Sequence, residues 1–137
     1  MENLLQRLQD ASRSGVYRAA RAEEIVEATR GSKLSVARIR FGEKEALLGS
    51  VAAALKFPSW FGGNWDALED CLGDLSWSDA EGHVLIVEHP QAGDELGIFI
   101  DVLRASAEHW AGRGRPFFAV FIDPAGSLSL PPLYRER

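Results

Sequence analysis

Two short apolar runs constrain the fold of this chain more than any other feature of its sequence. His83 to Glu88 (HVLIVE) and Pro116 to Ile122 (PFFAVFI) lack a polar face, which is typical of strands covered on both sides. Between them, residues 94–110 carry apolar side chains at helical spacing, so a helix separates the two strands. Strands that alternate with helices predict a parallel sheet with right-handed helical crossovers.

The preceding part of the chain continues the same alternation. Residues 35–41 alternate as a strand does, although the spacing does not tell which side faces the core. Residues 43–55 have helical spacing. The sequence therefore predicts an α/β protein with a small three-stranded parallel sheet covered by helices. Residues 1–34, interpreted as a helix, a weak strand and a helix, leave a four-stranded sheet open as the alternative.

These elements also predict the domain organisation. Residues 35–123 form the domain, and we expect the N-terminal extension, residues 1–34, to pack on it. Residues 124–137 contain Pro124, Pro131 and Pro132 and predict a loose C-terminal tail.

Composition and charge restrict the partners. The chain has 137 residues and a net charge of −5, with 20 acidic against 15 basic residues. This balance argues against nucleic acid or an anionic membrane surface as a direct partner and permits a basic protein.

A single cysteine excludes an internal disulfide and indicates a reducing compartment. With no apolar window long enough to span a membrane, we expect a cytoplasmic protein.

Residues 57–77 (FPSWFGGNWDALEDCLGDLSW) combine a helix signal with concentrated negative charge. Asn64 is a good N-cap for a helix over residues 64–75. One face of that helix carries the apolar side chains of Trp65, Leu68, Leu72 and Leu75. Another face carries the carboxylates of Asp66, Glu69, Asp70 and Asp74. Like charges four residues apart cost a few tenths of a kcal/mol each, and no Lys or Arg in the helix relieves them.

This acidic helix has two interpretations. Charged faces on surface helices are commonly exposed only to solvent, and the spacing alone leaves that alternative open. Trp60, Phe61 and Trp65, however, lie within six residues around two glycines, which is more aromatic surface than one loop needs to seal a core. Aromatic residues beside concentrated charge are typical of protein interfaces.

The sequence gives little support to catalysis, metal binding or a cofactor. Cys71 lies beside Leu72, near the buried side of its helix, where a lone cysteine is usually a small core residue. The histidines at positions 83, 89 and 109 lack metal-ligand spacing. The acidic residues of one helix stand in a row rather than around an ion. We therefore predict a protein that is not an enzyme and binds no metal or cofactor.

The same segment resembles the barstar family, the intracellular inhibitors of barnase-type ribonucleases. The matching pattern is Phe61-Gly62-x-Asn64-x-Asp66-Ala67-Leu68-x-Asp70-Cys71-Leu72. The resemblance covers roughly residues 35–123. It implies a three-stranded parallel sheet with packed helices. It also implies an inhibitor whose acidic helix enters the nuclease active site in place of RNA phosphate. The implied partner is a basic, extracellular-type ribonuclease or ribonuclease toxin.

The resemblance also implies roles for individual residues. Asp70 is the central anion and Asp66 a second carboxylate that faces the enzyme's basic groups. Asn64 is a polar contact at the helix start, and Trp60 packs on the nuclease's catalytic histidine. Asp74 lies nearer the rim. The alternative is a barstar-fold acidic interaction module that binds another basic protein without inhibiting a nuclease.

Some positions depart from the best-known member of the family. Glu69 and Leu75 stand where that member has Trp, although Trp77 follows two residues later. The family's interface glutamate falls near Gly97, where Asp94 or Glu95 is the available substitute. These departures concern the identity of the nuclease more than the general activity, and Glu69 suits a partner with a more basic rim.

Overall fold

One sheet of four parallel strands, in the order β1-β4-β3-β2, organises the protein. The computed structural model describes residues 3–134. In chain order, the elements are α1 (Leu4–Leu8), a short 3₁₀ helix (Ala11–Arg13), β1 (Gly15–Ala19), α2 (Ala22–Thr29), β2 (Leu34–Arg40), α3 (Lys44–Ala54), α4 (Trp65–Asp74), β3 (Gly82–Glu88), α5 (Asp94–Ala111) and β4 (Phe117–Ile122). The alternation of strands and helices confirms the predicted α/β fold with a parallel sheet.

The two central strands are the two apolar runs of the sequence. β3 and β4 lie side by side, with Leu85 opposite Ala119. Successive side chains of β3 point to opposite faces, so Leu85 belongs to one core cluster and Ile86 to the other. Helices α3, α4 and α5 cover the first face, and α1 and α2 cover the second. A strand buried on both faces favours apolar side chains at successive positions, which explains the two runs.

The edge strands settle two points that the sequence left open. In β2, Ala37 and Ile39 are buried on the α3 side, while Arg38 and Arg40 are exposed. β1, which lies in the N-terminal extension, pairs with β4 in parallel from Gly15 onward. The sheet therefore has four strands, the alternative that the extension had left open.

The C-terminal segment packs on the free edge of β1. Leu130 and Leu133 are buried. The backbone N–H of Arg18 in β1 donates to the carbonyl of Pro131, and the N–H of Leu133 donates to the carbonyl of Arg18. These contacts correct the expectation of a loose tail for residues 124–134, because Pro131 and Pro132 lie between two leucines whose side chains are buried in the core. Residues 135–137 lie outside the described part of the chain.

Candidate functional site

Helix α4 begins at a well-defined cap. Gly63 has a φ of +70°, a conformation that glycine adopts without strain, and the extended Asn64 follows it. The Asn64 side-chain oxygen accepts the backbone N–H of Ala67 at 2.7 Å. Four N–H groups at a helix start lack backbone partners, and this bond satisfies one of them. The first carboxylate of the helix, that of Asp66, is thereby held in a defined place.

The apolar face of α4 anchors the helix in the core. Leu68, Cys71, Leu72 and Leu75 are fully buried there. The indole N–H of Trp110 in α5 donates to the carbonyl of Leu72 at 2.7 Å, which joins the two helices. Trp65 packs on Phe99 with ring centroids 6.2 Å apart. The exposed face of α4 is therefore presented on a rigid support.

All four carboxylates of α4, those of Asp66, Glu69, Asp70 and Asp74, are exposed. Within residues 3–134, none of them forms an ion pair or a hydrogen bond with a side chain of the protein. The basic side chains of this part of the chain that form ion pairs do so elsewhere; Arg38, for example, binds Glu88. The negative charge of this face is thus available to a partner.

The charges also act on the buried thiol between them. Burial raises the pKa of Cys71, and the carboxylates of Asp74 and Asp70 raise it further. A thiol held in its protonated form is a poor nucleophile. Cys71 is therefore a small buried core residue of α4, as its spacing predicts.

An open groove runs between α4 and α5. Its lining consists of Glu69, Asp70 and Gly73 from α4 and Ala105, Ser106 and His109 from α5. Gly73 has no side chain and Ala105 only a methyl group, so neither fills the groove beside the two exposed carboxylates. Periodicity alone did not identify the α5 half of this groove, since it does not tell which turns of α5 meet α4.

Gly97, near which the resemblance puts the family's interface glutamate, does not line the groove beside Glu69 and Asp70. It lines a second groove, shared with Leu128 and Leu130 of the C-terminal segment. The α5 residues that share a groove with Glu69 and Asp70 come later in the helix, from Ala105 onward. The place of the family's interface glutamate in this chain stays a prediction. The register of α5 against α4 depends on packing and not on chain order.

The loop before α4 displays one large aromatic side chain. Trp60 is 59% exposed, whereas Phe61 and Trp65 are partly buried against the core. Phe57 contacts Phe61 edge to face, with ring centroids 5.0 Å apart. Trp60 makes the same kind of contact with Trp77 at 6.2 Å. An exposed indole thus stands on the loop that leads into the acidic helix.

Leu75, which departs from the family pattern, and the nearby Trp77 both contact the interior of the protein. Leu75 ends the helix in the left-handed conformation, with a φ of +50°, and its side chain is fully buried. Trp77 is half-buried, and its indole N–H donates to the carbonyl of Leu55 at 3.0 Å. Trp77 therefore supports the loop from inside rather than extending the exposed face.

In residues 3–134, no group of three or more His, Cys, Asp and Glu side chains is arranged to hold a metal ion. In the same part of the chain, no helix is both long and apolar enough to cross a membrane.

Comparison with known proteins gives one family. Residues 33–122 match the family model described as Barstar (barnase inhibitor). No curated protein and no solved structure matches the chain. The matched range begins just before β2, ends with β4 and includes the loop, the acidic helix and both halves of the groove.

Proposed function

Because the chain belongs to the barstar family, we propose that it is an intracellular inhibitor of a barnase-type ribonuclease. The acidic face of α4 blocks the cationic active site of the enzyme. One observation carries this proposal: four exposed carboxylates on a rigid helix have no cationic partner within residues 3–134. Negative charge that served only solubility would not explain the exposed indole of Trp60 on the adjacent loop.

The mechanism follows from charge and rigidity. A ribonuclease site carries basic groups that hold the phosphates of RNA. Carboxylates on α4 compete for these groups and offer no bond to cleave. The helix is already fixed by its cap and its buried face, so little conformational freedom is lost on binding. Asp70, in the middle of α4, occupies the place of the central phosphate, with Asp66 one turn before it and Asp74 at the rim.

Trp60 and Asn64 complete the proposed contact surface. The exposed indole of Trp60 supplies apolar area next to the charges, as anchor residues of interfaces do, and we place it on the catalytic histidine of the nuclease. The side-chain oxygen of Asn64 is engaged by Ala67, so its amide N–H groups are the part left to bind the partner.

Glu69 distinguishes this surface from the family pattern. It stands where the best-known member has Trp, and it lines the α4–α5 groove beside Asp70. Two carboxylates in one groove suit a nuclease whose rim presents an additional basic side chain. We therefore propose a more basic partner than barnase itself.

Co-expression tests the function directly. Barnase and a panel of small basic ribonucleases are each produced in a bacterial host with the native chain, and survival is scored. The matched control replaces the four acids isosterically (Asp66→Asn, Glu69→Gln, Asp70→Asn, Asp74→Asn), and circular dichroism verifies its fold. We expect the native chain to protect against at least one nuclease and the control to fail.

Two results contradict the proposal. Equal protection by the native chain and the control shows that the acids are not the inhibitory element. Capture of a basic protein without any loss of RNA cleavage favours the acidic interaction module instead.

A further inference from the structure

Trp77 links the ends of two helices that flank the Trp60 loop. Its indole N–H donates to the carbonyl of Leu55 at 3.0 Å, and Leu55 is the residue that caps the end of α3. Carbonyls at a helix end lack partners within the helix, so this bond satisfies a group that would otherwise need water. Trp77 itself lies three residues after the end of α4. The Trp77 side chain therefore links the end of α3 to the segment after α4. Residues 56–63, the Trp60 loop, connect the same two helices.

Two ring contacts extend from Trp77 into this loop. Phe57 meets it edge to face at 5.8 Å and Trp60 does so at 6.2 Å, measured between ring centroids. Edge-to-face contacts favour a defined angle between rings. Among residues 3–134, no hydrogen bond holds the Trp60 side chain, and 59% of that residue is exposed. The edge-to-face contact with Trp77 thus restricts the direction of the exposed indole.

We propose that Trp77 is a positioning residue for the partner-binding face. It holds Trp60 at a fixed angle beside the start of α4, without touching the partner itself. This inference rests on the proposed function as far as binding is concerned. Its physical reason is preorganisation: an indole ordered before binding loses less rotational freedom when the complex forms.

The first experiment needs no nuclease. The ¹⁵N order parameter of the Trp60 indole N–H is measured in the native chain and in Trp77→Leu. We expect a fall from about 0.8 to below about 0.6, the range of flexible groups. Trp77→Phe retains a ring at that position and is expected to stay near the native value. Trp60 remaining equally ordered in Trp77→Leu would overturn the inference.

Trp110→Phe is the matched control. Trp110 also donates its indole N–H to a backbone carbonyl at a helix, that of Leu72, but it lies between α4 and α5. We expect its replacement to leave the order of Trp60 unchanged. A fall in Trp110→Phe as large as that in Trp77→Leu would mean general loosening and would also overturn the inference. Urea unfolding verifies that each variant is folded under the conditions used.

The second experiment measures dissociation constants for a ribonuclease that the native chain inhibits. Trp77→Leu is expected to weaken binding about three- to tenfold. If Trp77 acts through Trp60, the double variant Trp60→Leu/Trp77→Leu binds no more weakly than Trp60→Leu alone. Additive losses would overturn the positioning role. A further outcome is that Trp60 becomes disordered in Trp77→Leu while the native chain inhibits no ribonuclease that is tested. That combination would refute the proposed function and would still support the structural part of the inference.

Discussion

At the scale of single residues, the groove between α4 and α5 separates Asp70 from its neighbours in the helix. Asp70 and Glu69 line that groove, whereas Asp74 lies in the last turn of α4, outside the groove lining. A basic side chain that enters a groove loses more water than one at an exposed rim, so its attraction to the carboxylate is less screened. The two aspartates are therefore expected to contribute unequally to binding.

We predict that Asp70→Ala weakens nuclease binding far more than Asp74→Ala. Truncating one partner of a desolvated charge pair costs about 2–5 kcal/mol, a range that was established in part on the barnase–barstar complex itself rather than from this chain. An exposed rim charge contributes about 1 kcal/mol or less. Titration calorimetry against the inhibited nuclease measures both variants. Equal small losses would count against the central role of Asp70.

His83 is the buried titratable group of the sheet. It begins β3 and is 5% exposed, with its Nε2 atom 3.0 Å from the hydroxyl oxygen of Ser78. Burial lowers the pKa of His83 to about 4, and the charge of Arg115 contributes to the shift. The unfolded chain, with an ordinary histidine pKa near 6.5, therefore binds a proton more readily than the folded chain. Through His83, the free energy of unfolding is therefore highest above about pH 6.5 and falls as the pH drops towards 4.

We predict that the free energy of unfolding of the native chain falls by about 3 kcal/mol between pH 7 and pH 4 through His83. Urea unfolding at several pH values measures this slope, and His83→Gln should remove it. The carboxyls with lowered pKa, such as that of Glu88, begin to lose their contribution below about pH 5, but they do so in both proteins, so the difference between the two slopes reports His83. The same slope in both proteins would contradict the assignment to His83.

At the scale of elements, the C-terminal segment completes the β1 side of the sheet. Leu133 is fully buried in the cluster under α1 and α2, and Leu130 belongs to the cluster under α5. The Asp123 carboxylate accepts the backbone N–H groups of Ser127 and Leu128, which turns the chain back after β4. This segment also occupies part of the outer edge of β1, where an unpaired strand would be open to other chains.

We predict that Leu133→Ala lowers the free energy of unfolding by about 2–4 kcal/mol, the usual cost of removing a fully buried leucine side chain. Leu128, half-buried on the same segment, is the matched control, and Leu128→Ala should cost about 1 kcal/mol. Urea unfolding at pH 7 measures both. Equal costs would show that the segment does not pack as described.

At the scale of the whole molecule, the distribution of charge matters more than its sum. The net charge is only −5, but four carboxylates without partners in residues 3–134 lie on one helix beside the Trp60 loop. The glutamates of α2, on the opposite face of the sheet, are partly balanced by arginines, as Glu27 is by Arg30. Such an uneven field attracts a basic protein to one side of the molecule.

We predict that the association rate with the nuclease falls at least about tenfold between 20 and 500 mM NaCl, while the dissociation rate changes little. Asp66→Asn/Asp74→Asn should slow association at low salt. Glu24→Gln/Glu27→Gln removes the same net charge from α2 and should not. Stopped-flow mixing measures these rates. Equal slowing by the two double variants would indicate that net charge, not its position, governs encounter.

Much of the fold and of the candidate site could be predicted from the sequence because it depends on neighbouring residues. The apolar runs indicate buried parallel strands, and the cap at Asn64 and the spacing of Asp66 to Asp74 indicate an amphipathic acidic helix. Exposure of the four carboxylates follows from that spacing. Their lack of an internal partner does not, since an arginine from anywhere in the chain can reach a helix surface.

Only the tertiary structure shows which distant segments of the chain contact one another. Arg18 donates to the carbonyl of Leu130 across 112 residues, which orders a segment whose prolines suggested a loose tail. Three other features also depend on contacts between distant segments. They are the strand order, the position of Ala105 rather than Gly97 in the groove beside Asp70, and the hydrogen bond of Trp77 to Leu55. Local periodicity determines which face of an element is apolar. Packing and backbone hydrogen bonding across the whole chain determine what that face meets.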